Sequence, residues 1–136
     1  VALAVLMPIV ASMGGNAGTQ TLTVAVRALA MRQLTRRNAM RILAKEVTVG
    51  GINGVLLAII AGTLAALWFT DPVIGGVIAI AMVANLVVAG FCGVAIPLAL
   101  DRLKIDPAIA STVVLTTVTD VVGFFAFLGL AALFLL

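Results

Sequence analysis

Histidine is absent from the sequence and Cys92 is the single cysteine. Those two gaps remove zinc sites, haem ligation and any disulfide within the chain, so a metal bound here must take oxygen ligands. Charge is scarce as well: 10% of residues are charged and 64% are hydrophobic, whereas soluble domains carry about 25% and about 45–50%. That balance indicates a membrane protein. With 136 residues and helical spans of about 20 residues each, there is room for four or five crossings and little else. A soluble catalytic domain does not fit, and no enzyme activity or nucleic-acid partner is expected. No segment alternates as a barrel strand does.

Four apolar segments stand out, Val1 to Ala30, Val47 to Phe69, Val73 to Leu100 and Ile109 to Leu136. The shortest spans about 35 Å as a helix, enough to cross a bilayer. The expected fold is therefore all-α, a polytopic bundle forming one transmembrane domain over residues 1–136, with helices at about 1–30, 47–69, 73–100 and 107–136. Pro72 and Pro107 sit at helix starts, and Asp71 and Asp106 directly before them read as N-caps. The connection 31–46 carries Arg32, Arg36, Arg37, Arg41 and Lys45, a spacing that predicts a basic amphipathic segment at headgroup level. The connection 101–106 adds Arg102 and Lys104, whereas Thr70-Asp71-Pro72 has no basic residue. Connections 31–46 and 101–106 are therefore expected in the cytoplasm, with both chain ends outside. The first apolar stretch does not read as a signal peptide, and a chain that starts outside without one predicts a further helix upstream.

Inside the last segment lies one carboxylate, Asp120, whose only other polar companions are Ser and Thr. Holding a charge at bilayer depth costs about 2.5–3.5 kcal/mol on insertion scales, which marks such a residue as a functional site for an ion or proton. Thr112, Thr116, Thr119, Asp120 and Gly123 fall at i, i+4, i+7, i+8 and i+11, one side of a helix. Ser12, Gly15, Asn16, Thr19, Gln20 and Thr23 repeat the pattern in the first segment. Two such stripes suit a shared aqueous path; the competing reading is interhelical glue, worth about 0.6 kcal/mol per hydrogen bond. Asn85 and Asn53, inside the third and second segments, read as interhelical hydrogen-bonding residues, with Asn85 also a candidate for the path lining. Gly14 and Gly18, Gly50 and Gly54, and Gly90 and Gly93 mark close helix approaches, and Trp68 with Phe69 an interfacial anchor.

One carboxylate with neutral oxygens suits magnesium, which binds through one or two carboxylates and keeps several waters. A calcium cage would want six to eight oxygens unless subunits combine. In a two-fold dimer two Asp120 side chains meeting on the axis would repel unless a divalent cation sits between them.

The run Pro8-Ile9-Val10-Ala11-Ser12-Met13-Gly14-Gly15-Asn16-Ala17-Gly18-Thr19-Gln20 resembles the proline-then-G-G-N-x-G-x-Q signature of the MgtE family of magnesium channels. Agreeing features are Arg27-Ala28-Leu29-Ala30 before the basic connection, Lys45-Glu46, Asn85-Leu86 with Gly90 and Pro97, and Asp106-Pro107-Ala108 leading to Thr119-Asp120-x-x-Gly123. The resemblance covers essentially the whole chain. It implies a homodimeric magnesium channel of the plasma (inner) membrane, with five helices per subunit and cytosolic regulatory domains that this sequence does not contain. By position, Asp120 matches the family's pore carboxylate, Thr116 the position lending a backbone carbonyl, and Asn16 the pore-facing asparagine of the signature. The expected lining is Ser12, Gly15, Thr19, Gln20, Thr112, Thr119, Gly123 and Asn85. Ile109-Ala110-Ser111-Thr112 departs from the family pattern, so no ligand role carries over to Thr112. Mg2+ is the expected cargo and pore ligand, and the lipid bilayer and a second copy the expected partners. A carrier exchanging Mg2+ for Na+ or H+ through Asp120 is the alternative.

Overall fold

The computed structural model describes residues 2–35 and 37–135, with side chains described over 4–35, 37–107 and 110–134. The expected helix ends at Val1 and Leu136, and Arg36 of the basic connection, lie outside those residues. Four helices follow one another: α1 (Ala2–Ala30), α2 (Ala39–Phe69), α3 (Pro72–Arg102) and α4 (Pro107–Leu135). The all-α expectation holds. Three of the helices, Ala39–Phe69, Pro72–Arg102 and Ala110–Phe134 within α4, are long and apolar enough to cross a membrane. α1 has comparable length at 29 residues, but its polar residues from Ser12 to Thr23 dilute its hydropathy.

The basic connection is shorter than its charge pattern suggests. α2 begins at Ala39, eight residues before the expected start at Val47, so Arg41, Lys45 and Glu46 belong to its first turns and the connection is 31–38. Two interactions fix this boundary. Asn38 Oδ1 accepts the Thr35 N–H at 2.7 Å and its Nδ2 donates to the Gln33 carbonyl at 2.6 Å. Leu34 is buried with Ala25, Ala39 and Val94, and Ile42 and Leu43 pack against that cluster, which gives the first turns of α2 an apolar face. The basic side chains Arg32, Arg37, Arg41 and Lys45 stay exposed. At the other end of α2, Thr70 closes the helix in the left-handed region (φ 52°), its N–H bonded to the Ala66 carbonyl. Asp71 then caps α3, accepting the Val73 N–H at 2.9 Å, with Pro72 at the first helical position.

α3 is the central post. It packs against each of the other three helices, α1 and α4 also pack on each other, and α2 makes only slight contact with α1, including the Thr21 hydroxyl on Glu46. The α2–α3 seam is built from small residues: Gly50, Gly54, Ala58, Gly62 and Ala65 form a buried row three or four apart on α2. A Cβ on Gly50 would lie 2.6 Å from the Leu86 carbonyl oxygen, and one on Gly75 2.6 Å from the Gly62 carbonyl oxygen. Lipid supplies no hydrophobic drive between helices, so contact energy comes from such backbone approach.

Gly50→Ala is therefore expected to destabilise the bundle by about 1–3 kcal/mol, because a backbone carbonyl cannot step aside as a side chain can. Gly76→Ala, with nothing within 4 Å of the new methyl, is expected to be neutral. Unfolding of both variants in mild detergent checks the pair, and equal midpoints would contradict the seam.

Candidate ion-pathway site

α1 and α4 run antiparallel, and three contacts set their register. A Cβ on Gly123 would sit 3.3 Å from the Ala11 Cα, one on Gly15 3.9 Å from the Thr119 Oγ1, and one on Gly18 2.9 Å from the Leu115 Cδ2. Depths therefore pair as 11 with 123, 15 with 119 and 18 with 115, which brings Asn16 level with the turn from Thr116 to Asp120.

The polar residues of α4 divide into two adjacent rows. Ser111, Leu115, Thr119, Gly123, Phe127 and Ala131, four apart, are all buried. One residue further around, Thr112 and Asp120 are exposed and Thr116 is half-buried. α1 divides the same way. Gly14, Gly18 and Leu22 are buried, Gly15 and Thr19 half-buried, and Ser12, Asn16, Gln20 and Thr23 exposed. In antiparallel helices, the residue following each contact position swings out to the same side of the contact. Ser12, Asn16 and Gln20 therefore flank the same open side as Thr112, Thr116 and Asp120, and α3 closes the opposite side.

Three expected lining residues thus lie behind this face. Thr119 and Asn85 are fully buried and Gly123 is buried. Asn85 Nδ2 donates to the Val10 carbonyl at 2.9 Å, so its reading as an interhelical hydrogen-bonding residue holds and its reading as a lining residue is corrected for the single chain. Its amide occupies the space left by two glycines. A Cβ on Gly14 would overlap the amide, and one on Gly123 would lie 3.1 Å from Nδ2. Asn85 Oδ1 and Ser111 Oγ are buried with no hydrogen-bond partner among the described residues.

The threonines bond their own helices. Thr19 Oγ1 donates to the Gly15 carbonyl at 2.7 Å, Thr23 to Thr19 at 2.8 Å, Thr116 to Thr112 at 2.9 Å and Thr117 to Val113 at 2.8 Å. With the proton directed back to the i−4 carbonyl, each hydroxyl oxygen offers lone pairs outward, the polarity a cation needs. The interhelical-glue reading therefore fails for these four. Thr119 Oγ1 donates to the Thr116 carbonyl at 3.2 Å, so that carbonyl carries a second hydrogen bond beside its helical one. Among the described residues no group of three His, Cys, Asp or Glu side chains converges, and the acidic chemistry of the open face rests on Asp120 alone. The sequence reading left Glu46 at the end of the basic connection with no site role; its position inside α2 follows from the apolar Ile42 and Leu43 that precede it.

Gly14→Ala is expected to destabilise the chain by about 1–3 kcal/mol through overlap with the Asn85 amide. In an Asn85→Ala background most of that cost should vanish, a coupling of at least about 1 kcal/mol in a double-mutant cycle. Additive effects would contradict the contact.

A family model described as "MgtE: Divalent cation transporter" matches residues 7–130. The chain is 32% identical over 135 residues to a protein of Bacillus subtilis (strain 168) named magnesium transporter MgtE, covering 99% of this chain and 30% of that protein. Proteins of the same name from Enterococcus faecalis and Thermus thermophilus are each 35% identical, covering 98% of this chain and 29% and 30% of theirs. The chain thus spans about 30% of the length of these curated relatives. The matched span contains α1 from Met7, all of α2 and α3, and α4 through Leu130, and on it the chain belongs to the MgtE family of divalent cation transporters.

Proposed function

We propose that this chain is the membrane part of a magnesium channel, in which Asp120 selects a largely hydrated Mg2+ on a face completed by a second copy. The observation that carries this reading is the open polar face itself. A row containing a carboxylate, two amides and several hydroxyls stands on the surface of an otherwise apolar bundle. Bilayer lipid cannot cover it, because each charge left in hydrocarbon costs several kcal/mol. Water does so if the face lines a path, and a second chain related by a two-fold axis would wall that path from the other side.

Magnesium suits the chemistry. It holds its waters tightly and engages one or two carboxylates, so amides and hydroxyls bind it through the hydration shell. Two Asp120 side chains across an axis would balance one divalent ion. Asn16, level with them, would accept or donate to its waters. The Thr116 carbonyl can serve an ion if Thr119 turns its hydroxyl away. No covalent chemistry and no nucleotide is required, since a membrane potential of 100 mV contributes about 2.3 kcal/mol per charge to inward movement. In this reading α1 crosses the membrane with the other three helices, lined on its polar side by water. The basic connection 31–38 and the first turns of α2 lie on the cytoplasmic side of the plasma membrane, and both chain ends lie outside. A fifth helix and cytosolic regulatory domains would complete the parent protein.

Asp120→Asn and Asp120→Ala are expected to lower Mg2+ flux, or its preference over Na+, at least about tenfold in proteoliposomes, with the dimer intact by cross-linking. Wild-type flux in both variants would make the carboxylate structural. Flux that follows an imposed Na+ or H+ gradient would instead identify a carrier.

A further inference from the structure

Glu46 is a second carboxylate at helix depth, and the open face does not use it. α2 begins at Ala39, so Glu46 lies two turns inside the helix, about 10 Å from its start. The backbone there is pressed onto α3, where a Cβ on Gly90 would lie 2.6 Å from the Glu46 carbonyl oxygen. The side chain is half-buried. Its Oε2 accepts Thr21 Oγ1 at 3.5 Å, a long bond, and no Lys or Arg pairs with it among the described residues. A carboxylate so placed lacks the compensation that partly buried charges ordinarily have.

Beside it is a cavity of about 150 Å3 between α1 and α2, lined by Gln20, Thr21, Glu46 and Asn53 together with small and apolar residues. Four other cavities among the described residues are walled almost wholly by apolar side chains. At about 30 Å3 per water, the volume matches roughly five waters. One carboxylate, two amide oxygens and one hydroxyl oxygen around such a volume form the donor set of a hard cation that retains part of its hydration. Gln20 belongs both to this cavity and to the exposed row of Ser12 and Asn16, so the two polar regions adjoin.

We propose that Glu46, with Gln20, Thr21 and Asn53, forms a second divalent-cation site in the α1–α2 cleft, distinct from Asp120. The existence of the site rests on the cavity and the uncompensated carboxylate; its place on a conduction path rests on the function proposed above. The α1–α4 register puts Asp120 level with Gly14, and Thr21 is seven residues beyond, so the two carboxylates stand about 10 Å apart along the axis. That separation lets two ions occupy neighbouring sites and weaken each other's hold, as rapid passage requires.

The test is Mn2+ binding followed by electron paramagnetic resonance on the full chain in lipid nanodiscs, with Mn2+ as the probe and Mg2+, Na+ and K+ as competitors. Glu46→Gln is expected to remove one class of Mn2+ that Asp120→Asn retains. Asn53→Ala, at an exposed position on the rim, is expected to weaken the same class about tenfold. That class should yield to Mg2+ and not to Na+ or K+. Unchanged Mn2+ binding in Glu46→Gln, or loss of the same ion in Asp120→Asn, overturns the second site. If Glu46→Gln does not fold, an unchanged affinity in Asn53→Ala overturns it alone. Retention of the Glu46 ion while flux proves indifferent to Asp120 would uphold this site and defeat the pore reading.

Discussion

Close backbone approach at glycine is the constraint on which the rest of this structure depends. Helices in lipid gain nothing from hiding apolar surface, so they associate where small residues let their backbones touch. α3 does this on two sides. Gly75 and Gly90 meet the α2 backbone, and a Cβ on Gly93 would lie 2.7 Å from the Thr21 Cβ and 3.2 Å from the Gly18 carbonyl oxygen on α1. The same economy of space lets Asn85 reach α1 and α4 through the room left by Gly14 and Gly123. Its hydrogen bond to the Val10 carbonyl joins α3 to α1, directly behind the polar face.

The polar face follows from that packing. With Thr119 and Gly123 turned inward, α4 must present Thr112, Thr116 and Asp120 on the adjoining side. With Gly14 and Gly18 turned inward, α1 must present Ser12, Asn16 and Gln20. The antiparallel run of the two helices makes these rows neighbours. Threonine hydroxyls that bond back to their own helix leave oxygen lone pairs outward, so the face is electronegative throughout, with Asp120 its one full charge. An apolar bundle that carries such a face leaves a charge and its neighbouring oxygens to be satisfied, and in the function proposed above a divalent ion, its water and a second copy would satisfy them together.

Much of this was legible in the sequence. Helix class follows from hydropathy and the absence of alternation; the α3 start follows from Asp71-Pro72, whose cap is present at 2.9 Å. Two stripes with the same offsets pointed to a shared path, whereas the relative depth of Asn16 and Asp120 came only from the α1–α4 contacts. What periodicity could not separate was the buried row from the exposed one, because Thr119 and Asp120 are adjacent and only tertiary contact with Gly15 decides which turns inward. The α2 boundary was misplaced for a related reason. Five basic residues between 32 and 45 suggest a surface segment, while Leu34, Ile42 and Leu43 carry the packing that extends the helix. Glu46 was therefore placed beside the connection instead of within the helix, and its cavity depends on the α1–α2 crossing, which no local pattern encodes.

The central claim is that the Asp120 row of one chain faces the same row of another across an ion path. In a Cys92→Ala background, single cysteines at Thr116, Thr119 and Asp120 can be oxidised in the membrane and the products sized on non-reducing gels. The account predicts disulfide-linked dimers for Thr116→Cys, suppressed by Mg2+, and for Asp120→Cys, where the lost carboxylate removes the Mg2+ effect, and none for the buried Thr119→Cys. Monomers at all three positions, or dimers through Thr119→Cys alone, would contradict it.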